Sequence, residues 1–120
     1  MIVRPASDRG SPLASNRFTV SDTVPPTCTL VVAGTTSEPS TLTLDERARL
    51  LDVAIGTARG RIPVVAATGS QPHAETVELC AGAERSGADS LLVVTPYYIR
   101  PPQRGLVEYY LAVTRAVEVP

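Results

Sequence analysis

Short apolar runs alternate with stretches of helical periodicity from about residue 28 to the end of the chain. The runs at 29–33, 62–67 and 90–94 are compact, rich in valine and alanine, and flanked by turn-forming residues. Runs of this kind are typical of strands that are buried on both faces of a parallel sheet. The pattern therefore predicts three strands, each followed by a helix.

The helical stretches repeat apolar residues at spacings of three and four. Thr43 and Glu46 have the spacing of a capping box at the start of the first helix, and Gly60 is predicted to end it. The second helix is predicted from about Pro72 to Ser86, with Gly87 after its end. The predicted inward positions are Leu44, Ala48, Leu51, Ile55 and Ala58 in the first helix, Ala74, Val77 and Ala81 in the second, and Leu106, Tyr109, Tyr110, Val113 and Ala116 in the third.

Three consecutive βα units require parallel strands joined by right-handed crossovers. The loops after Ala33, Ala67 and Val94 should then share the edge of the sheet where ligands bind. An open doubly wound sheet and a segment of a (β/α)₈ barrel fit this pattern equally well. A complete barrel of about 250 residues does not fit in 120 residues.

Residues 1–27 differ from the remainder of the chain. They contain four prolines and several serines, and they follow neither a strand period nor a helix period. We predict an irregular, disordered leader without a core of its own, followed by one domain at 28–120. An organelle transit peptide is disfavoured because Asp8 and Gly10 interrupt the basic stretch.

Composition excludes several classes of protein. Hydrophobic residues make up 43% of the chain, charged residues make up 19%, and the formal net charge is -1. This balance does not predict a nucleic-acid partner. No apolar run approaches the roughly 18 residues that a membrane span needs, so no membrane partner is predicted and we expect a cytoplasmic protein.

Metal-ligating residues are few. Cys28, Cys80 and His73 lack the spacing of a zinc site, and His73 is the only histidine. Both cysteines are interpreted as small apolar residues, and His73 as an exposed side chain at a helix start. No metal and no cofactor is predicted.

Three stretches in order carry a specific resemblance. The runs at 34–42 (GTTSEPSTL), 60–70 (GRIPVVAATGS) and 95–102 (TPYYIRPP) closely resemble the dihydrodipicolinate synthase and N-acetylneuraminate lyase family. That family comprises pyruvate-dependent class I aldolases on a (β/α)₈ TIM barrel. The resemblance covers about residues 29–118 and implies the second to fourth βα units of an incomplete barrel.

The resemblance also implies roles for three residues. Thr35 matches a catalytic threonine of the family's proton relay, and Thr36 matches the threonine that binds the pyruvate carboxylate. Tyr98 matches the tyrosine that completes the relay of a neighbouring subunit, which implies a homo-oligomer formed through the Tyr97/Tyr98 loop. The implied substrates are pyruvate and an aldehyde. The family's Schiff-base lysine lies on a later strand, and this chain contains no lysine at all.

Departures from the family pattern also have consequences. Ser37 stands where glycine is usual and Pro39 where serine is usual, so a reshaped carboxylate-binding loop is expected. At the lysine-feedback site of the family, Tyr97 and Glu75 match, but Arg47 replaces a different polar residue. Regulation by lysine is therefore not expected.

Three functional hypotheses follow from the sequence. The first is a partial synthase-like lyase, inactive alone because it lacks the lysine, with another pyruvate aldolase of the family as a variant of this hypothesis. The second is an enzyme to which another chain supplies the lysine. The third is a non-catalytic α/β module that binds an anion at the helix starts near Thr43 and Ser70, or serves as an interaction module.

Overall fold

A computed structural model describes residues 28–120, and the predicted leader at 1–27 lies outside the described residues. The described chain forms three βα units in sequence. In order, they are β1 (Leu30–Val32), α1 (Leu44–Ala58), β2 (Val64–Ala67), α2 (His73–Ser86), β3 (Ser90–Leu92) and α3 (Gln103–Ala116). Two short 3₁₀ turns, Thr35–Ser37 and Pro39–Thr41, lie between β1 and α1.

The three strands form one parallel sheet in the order β1-β2-β3. Each crossover moves one strand further in the same direction, so right-handed connections bring the helices to one face of the sheet. The prediction of consecutive βα units is confirmed. The strands are shorter than the apolar runs that predicted them, because the ends of those runs belong to the loops.

The core lies between the sheet and α1 and α2. Val32, Val64 and Ala66 point toward these helices and are nearly inaccessible, at 7%, 2% and 3% exposure. Val31 and Leu92 point to the other face and are 36% and 51% exposed. The prediction of strands buried on both faces is therefore wrong for the described chain, since the buried strand residues lie on the face that packs against α1 and α2.

Helix α1 begins with the predicted capping box. The Thr43 hydroxyl accepts the Glu46 N–H at 3.3 Å, and the Thr43 N–H donates to the Glu46 carboxylate at 2.8 Å. The helix ends at Ala58, and Arg59 takes the left-handed conformation ahead of Gly60. Leu51 and Ala58 are buried as predicted, whereas Ala48 is exposed.

Helix α2 buries a different face from the predicted one. Thr76, Cys80 and Ala83 are buried, whereas Ala74 is exposed. The apolar pattern failed here because the inward stripe contains a threonine whose hydroxyl is fully hydrogen-bonded. The predicted end of the helix is confirmed, since Gly87 has a φ of 88° and its N–H donates to the carbonyls of Ala83 and Glu84.

Helix α3 packs on α2. Val113 is buried on α3, and Tyr109 and Tyr110 are half-buried as predicted, but Ala116 is exposed. Among the helices at 28–120, none has the length and apolarity that a bilayer span requires.

Candidate functional site

Three loops lie at the carboxyl-end edge of the sheet, because all three strands run in the same direction. They follow β1, β2 and β3, and they contain all the predicted site residues. The loops after β2 and β3 are in direct contact. A Cβ atom on Gly69 would lie 2.5 Å from the Val94 backbone nitrogen, so only glycine fits there.

The loop after β1 holds Thr35 and Thr36 in the first 3₁₀ turn. The first hydrogen bond of this turn runs from the Ser37 N–H to the Gly34 carbonyl at 2.9 Å. The N–H groups of Thr35 and Thr36 come before this bond in the chain, so they are not part of the hydrogen bonds of the turn. Both threonines are exposed, and neither hydroxyl has a hydrogen-bond partner among the described residues. The turn therefore presents two hydroxyls and two N–H groups at the end of β1.

Ser37, the departure from the family pattern, stabilises this turn. Its hydroxyl donates to the Gly34 carbonyl at 2.6 Å. The left-handed conformation in this segment belongs to Glu38, with a φ of 50°, and not to Ser37. The backbone conformation of Ser37 therefore gives no support to the expected reshaping of the carboxylate-binding loop.

The loop after β3 presents two tyrosines. Tyr98 is 97% exposed and has a left-handed backbone with a φ of 61°, which is unfavourable for a bulky residue. Its ring meets the ring of Tyr97 edge to face, with centroids 5.9 Å apart. Tyr98 is therefore directed into solvent, away from the sheet that supports it.

The loop after β2 is the buried part of this edge. The Ser70 N–H donates to the Thr76 hydroxyl at 3.0 Å, and that hydroxyl in turn donates to the Ser70 carbonyl at 3.0 Å. The Cys80 thiol donates to the Thr68 hydroxyl at 3.1 Å, and burial raises the pKa of this thiol. The cysteine is a neutral core residue here.

Two tyrosines of α3 connect this loop to the end of β3. The Tyr109 hydroxyl donates to the Thr76 hydroxyl at 3.3 Å, and the Tyr110 hydroxyl donates to the Val93 carbonyl at 3.4 Å. Burial raises the pKa of Tyr110, and the neighbouring Tyr109 adds to this effect. His73 is exposed as predicted but packs edge to face on Tyr109, with ring centroids 5.3 Å apart.

Arg47 is a buried charge at the same edge of the sheet. It is 7% exposed, its terminal nitrogen donates to the Ala67 carbonyl at 3.1 Å, and its Nε has no hydrogen-bond partner among residues 28–120. Burial lowers the pKa of the guanidinium, whereas the electrostatic interactions with Glu75 and then with Tyr97 raise it. The guanidinium stays protonated at neutral pH, so α1 brings a fixed positive charge beside the loop after β2.

The helix starts are poor anion sites. The Glu46 carboxylate accepts hydrogen bonds at the start of α1, and the first turn of α2 carries Glu75, which accepts the Ser70 hydroxyl at 2.6 Å. A second negative charge beside either carboxylate would be repelled. Neither helix start supports the anion-binding module.

Residues 28–120 contain no group of three or more His, Cys, Asp and Glu side chains that could hold a metal ion. A cavity of about 210 Å³ lies between α1 and α2 on the helix-covered side of the sheet. None of Thr35, Thr36 and Tyr98 lines it, whereas Arg47, Ala67 and Thr68 do.

Sequence reasoning missed the supporting network. Thr76 and Arg47 are buried at helical positions that apolar periodicity does not identify. One signal was available, because Arg47, Leu51 and Ala58 lie on one helical stripe, as do Thr76, Cys80 and Ala83. The positions of Tyr109 and Tyr110 on the inward face of α3 were predicted, but their hydrogen bonds were not.

This architecture defines a class of protein. Consecutive βα units with a parallel sheet, helices on one face and loops gathered at the carboxyl ends of the strands form part of a (β/α)₈ barrel.

The model of the dihydrodipicolinate synthetase family matches residues 22–120, and the chain belongs to this family. It is 50% identical over 91 residues to the 4-hydroxy-tetrahydrodipicolinate synthase of Brucella abortus, and 52% identical over 91 residues to that of Phenylobacterium zucineum. Each match covers 76% of this chain and 31% of the relative. The chain therefore spans about a third of the length of the curated relatives that it matches.

A solved structure gives the same result. The chloride-inhibited dihydrodipicolinate synthase of Acinetobacter baumannii, complexed with pyruvate, superposes with a TM-score of 0.76 at 43% identity. The superposition covers 79% of this chain and 33% of that one.

Proposed function

We propose that this chain contributes the carboxylate-binding and proton-relay side of a pyruvate-dependent lyase site. The observation that carries the proposal is the exposed pair Thr35 and Thr36 at the carboxyl end of β1, whose hydroxyls have no hydrogen-bond partner within residues 28–120. Support also comes from the family membership of the chain and from the relatives, which are named as 4-hydroxy-tetrahydrodipicolinate synthases. The proposed substrates are pyruvate and an aldehyde.

In this site Thr36 binds the pyruvate carboxylate through its hydroxyl and its N–H group. At the start of a turn, hydroxyl groups and backbone N–H groups that the turn itself does not use can bind an anion, because their partially positive hydrogens point to the same place. Thr35 and Tyr98 pass protons while the imine forms and is resolved. Since Tyr98 is directed into solvent, it serves the site of a neighbouring subunit, which requires a homo-oligomer formed through the Tyr97/Tyr98 loop.

The Schiff-base step needs an amine that this chain does not have. A lysine amine attacks the carbonyl carbon of pyruvate, and the carbonyl oxygen leaves as water. Since the 120 residues contain no lysine, that amine has to come from outside them. The chain alone is therefore proposed to be inactive, and a cytoplasmic location stays a prediction.

A chimera tests this function. The 91 residues of this chain that match the Phenylobacterium zucineum relative replace their counterparts in that protein, so that the rest of that protein supplies the lysine. We expect synthase activity, and a pyruvate adduct that borohydride traps and intact mass spectrometry detects. In the chimera, Thr36→Val should raise KM for pyruvate, and Thr35→Val and Tyr98→Phe should lower kcat.

The matched control is Thr114→Val, which changes an exposed threonine on α3, away from the loops. It should leave both constants unchanged. A chimera with the circular dichroism and oligomeric state of the relative, but without a pyruvate adduct, would overturn the proposal. In an active chimera, a KM for pyruvate in Thr36→Val equal to that of the control would contradict the role of Thr36. A kcat in Thr35→Val equal to that of the control would contradict the role of Thr35.

A further inference from the structure

Two hydroxyl groups close the loop between β1 and α1 in the same way. The Ser37 N–H and the Ser37 hydroxyl both donate to the Gly34 carbonyl, at 2.9 and 2.6 Å. The Thr41 N–H and the Thr41 hydroxyl both donate to the Glu38 carbonyl, at 3.0 and 2.7 Å. Each of the two 3₁₀ turns is therefore closed by a side chain as well as by the backbone.

The residue at the junction of the two turns has a strained backbone. Glu38 is left-handed, with a φ of 50° and a ψ of 53°, and Pro39 follows it at the start of the second turn. A residue other than glycine keeps this conformation only when its surroundings hold it there. The hydrogen bonds of Ser37 and Thr41 lie on either side of Glu38. They therefore hold the loop in a conformation that the backbone alone does not favour.

The first of these turns carries the two threonines of the proposed site. Thr35 and Thr36 lie between Gly34 and Ser37, inside the ring that the hydrogen bonds of Ser37 close. If this ring opens, the N–H groups and hydroxyls of the two threonines no longer keep a fixed arrangement. The Ser37 hydroxyl proton is already donated to the Gly34 carbonyl, so it is not available to a carboxylate ligand. Ser37 therefore contributes to the geometry of the turn and not to ligand contact.

We propose that Ser37 is a positioning residue, whose hydroxyl holds Thr35 and Thr36 in the arrangement that binds the pyruvate carboxylate before the ligand arrives. This role rests on the proposed function, in which Thr36 binds that carboxylate. The apparent Kd of a ligand rises when only a fraction of the protein has the binding conformation. One intramolecular hydrogen bond changes such an equilibrium by roughly two- to tenfold. The Ser37 hydroxyl therefore lowers the Kd for pyruvate without touching it.

Four variants of the 120-residue chain separate positioning from contact. Ser37→Ala removes the hydroxyl, Ser37→Gly removes it and also frees the backbone, and Ser37→Thr retains a hydroxyl. Ser40→Ala is the matched control, because Ser40 is an exposed serine of the same loop whose hydroxyl has no hydrogen-bond partner among the described residues. Circular dichroism checks that all four variants fold, which we expect because both serines are exposed.

Nuclear magnetic resonance of the isotope-labelled chain measures the Kd for pyruvate from the amide shifts of Thr35 and Thr36 during a titration. We expect the Kd to rise at least about twofold in Ser37→Ala and further in Ser37→Gly. It should keep its wild-type value in Ser37→Thr and in Ser40→Ala. Relaxation measurements without pyruvate should show added motion of residues 35–37 in Ser37→Ala and Ser37→Gly only.

Two outcomes of these measurements would overturn the positioning role. An equal rise of the Kd in Ser37→Ala and Ser37→Gly, without added motion of residues 35–37, would make Ser37 a direct ligand. Added motion with an unchanged Kd would mean that the order of the turn does not matter for binding, while the proposed function would stay intact.

Kinetics of the chimera repeat the test at a site that contains the lysine. Ser37→Ala should raise KM for pyruvate at least about twofold and leave kcat unchanged, because bound pyruvate itself holds the turn at saturation. Ser37→Thr should restore KM, and Ser40→Ala should not change it. An active chimera whose KM responds to Thr36→Val but not to Ser37→Ala would overturn the positioning role alone. A folded chimera that forms no pyruvate adduct would overturn the proposed function, and the positioning role with it.

Discussion

The loops after β1 and β2 leave the same edge of the sheet but place their threonines in opposite environments. Thr68 and Thr76 in and beside the second loop are 3% and 0% exposed, and their hydroxyls are hydrogen-bonded. Thr35 and Thr36 in the first loop are exposed, and their hydroxyls have no hydrogen-bond partner in the part of the chain that the structure describes. The same residue type thus stabilises the fold in one loop and is available for a ligand in the other.

The largest expected effect comes from the contact between the buried loop and β3. In Gly69→Ala, the new methyl group would lie 2.5 Å from the Val94 backbone nitrogen, which cannot rotate away as a side chain can. We expect the free energy of unfolding, measured by urea denaturation, to fall by about 2–3 kcal/mol.

Gly56→Ala provides the control for this substitution. A Cβ built on Gly56, which sits inside α1, would meet no described residue within 4 Å apart from its chain neighbours and the backbone of its own helix, so alanine should raise the free energy of unfolding by about 0.5–1 kcal/mol. Equal effects of the two substitutions would show that the 68–70 segment is not held against β3.

The buried hydroxyl of Thr76 gives the next largest effect. Thr76→Val keeps the shape of the side chain but leaves the Ser70 N–H and the Tyr109 hydroxyl without their shared partner. Urea denaturation should show that the free energy of unfolding falls by about 1–3 kcal/mol. Thr114→Val, at an exposed hydroxyl that donates only to the Leu111 carbonyl, should change it by less than about 0.5 kcal/mol.

The contrast between the two loops also explains what the sequence could predict. Apolar periodicity and turn residues were enough for the order of strands and helices, the capping box at Thr43 and the helix end at Gly87. The resemblance identified Thr35, Thr36 and Tyr98 as site residues, and these assignments stay predictions. Periodicity failed for Arg47 and Thr76, because buried polar side chains are stabilised by partners distant in sequence, such as the Ala67 carbonyl and Tyr109.

A smaller effect is expected at the capping box, and it depends on pH. Hydrogen bonds from the Thr43 N–H and then from its hydroxyl lower the pKa of Glu46 below its ordinary value of 4.5. A pKa that is lowered in the folded state contributes stability above the unfolded-state pKa, and this contribution is lost as the pH falls through the folded-state pKa. The wild-type chain should therefore exceed Glu46→Gln in stability at neutral pH, by an amount that shrinks in acid.

Urea denaturation of both chains across the acidic range measures this difference. Asp52→Gln serves as the control, since Asp52 is an exposed carboxylate on the same helix, away from the capping box. The difference in free energy of unfolding between wild type and Glu46→Gln could instead stay constant into strong acid. The Glu46 carboxylate would then not stabilise the helix through its charge.

The smallest effect on stability is expected in the exposed loop. Thr35→Val and Thr36→Val remove hydroxyls that form no hydrogen bond with any described residue, so each should change the free energy of unfolding by less than about 0.5 kcal/mol. The same change costs several times more at Thr76, because only there does it leave buried groups unpaired. A loss at Thr35 or Thr36 as large as that at Thr76 would make the pair a structural feature of the turn and remove the main support for a carboxylate site. A negligible loss, together with a raised KM for pyruvate in the Thr36→Val chimera, would show that this loop serves the ligand while the loop after β2 serves the fold.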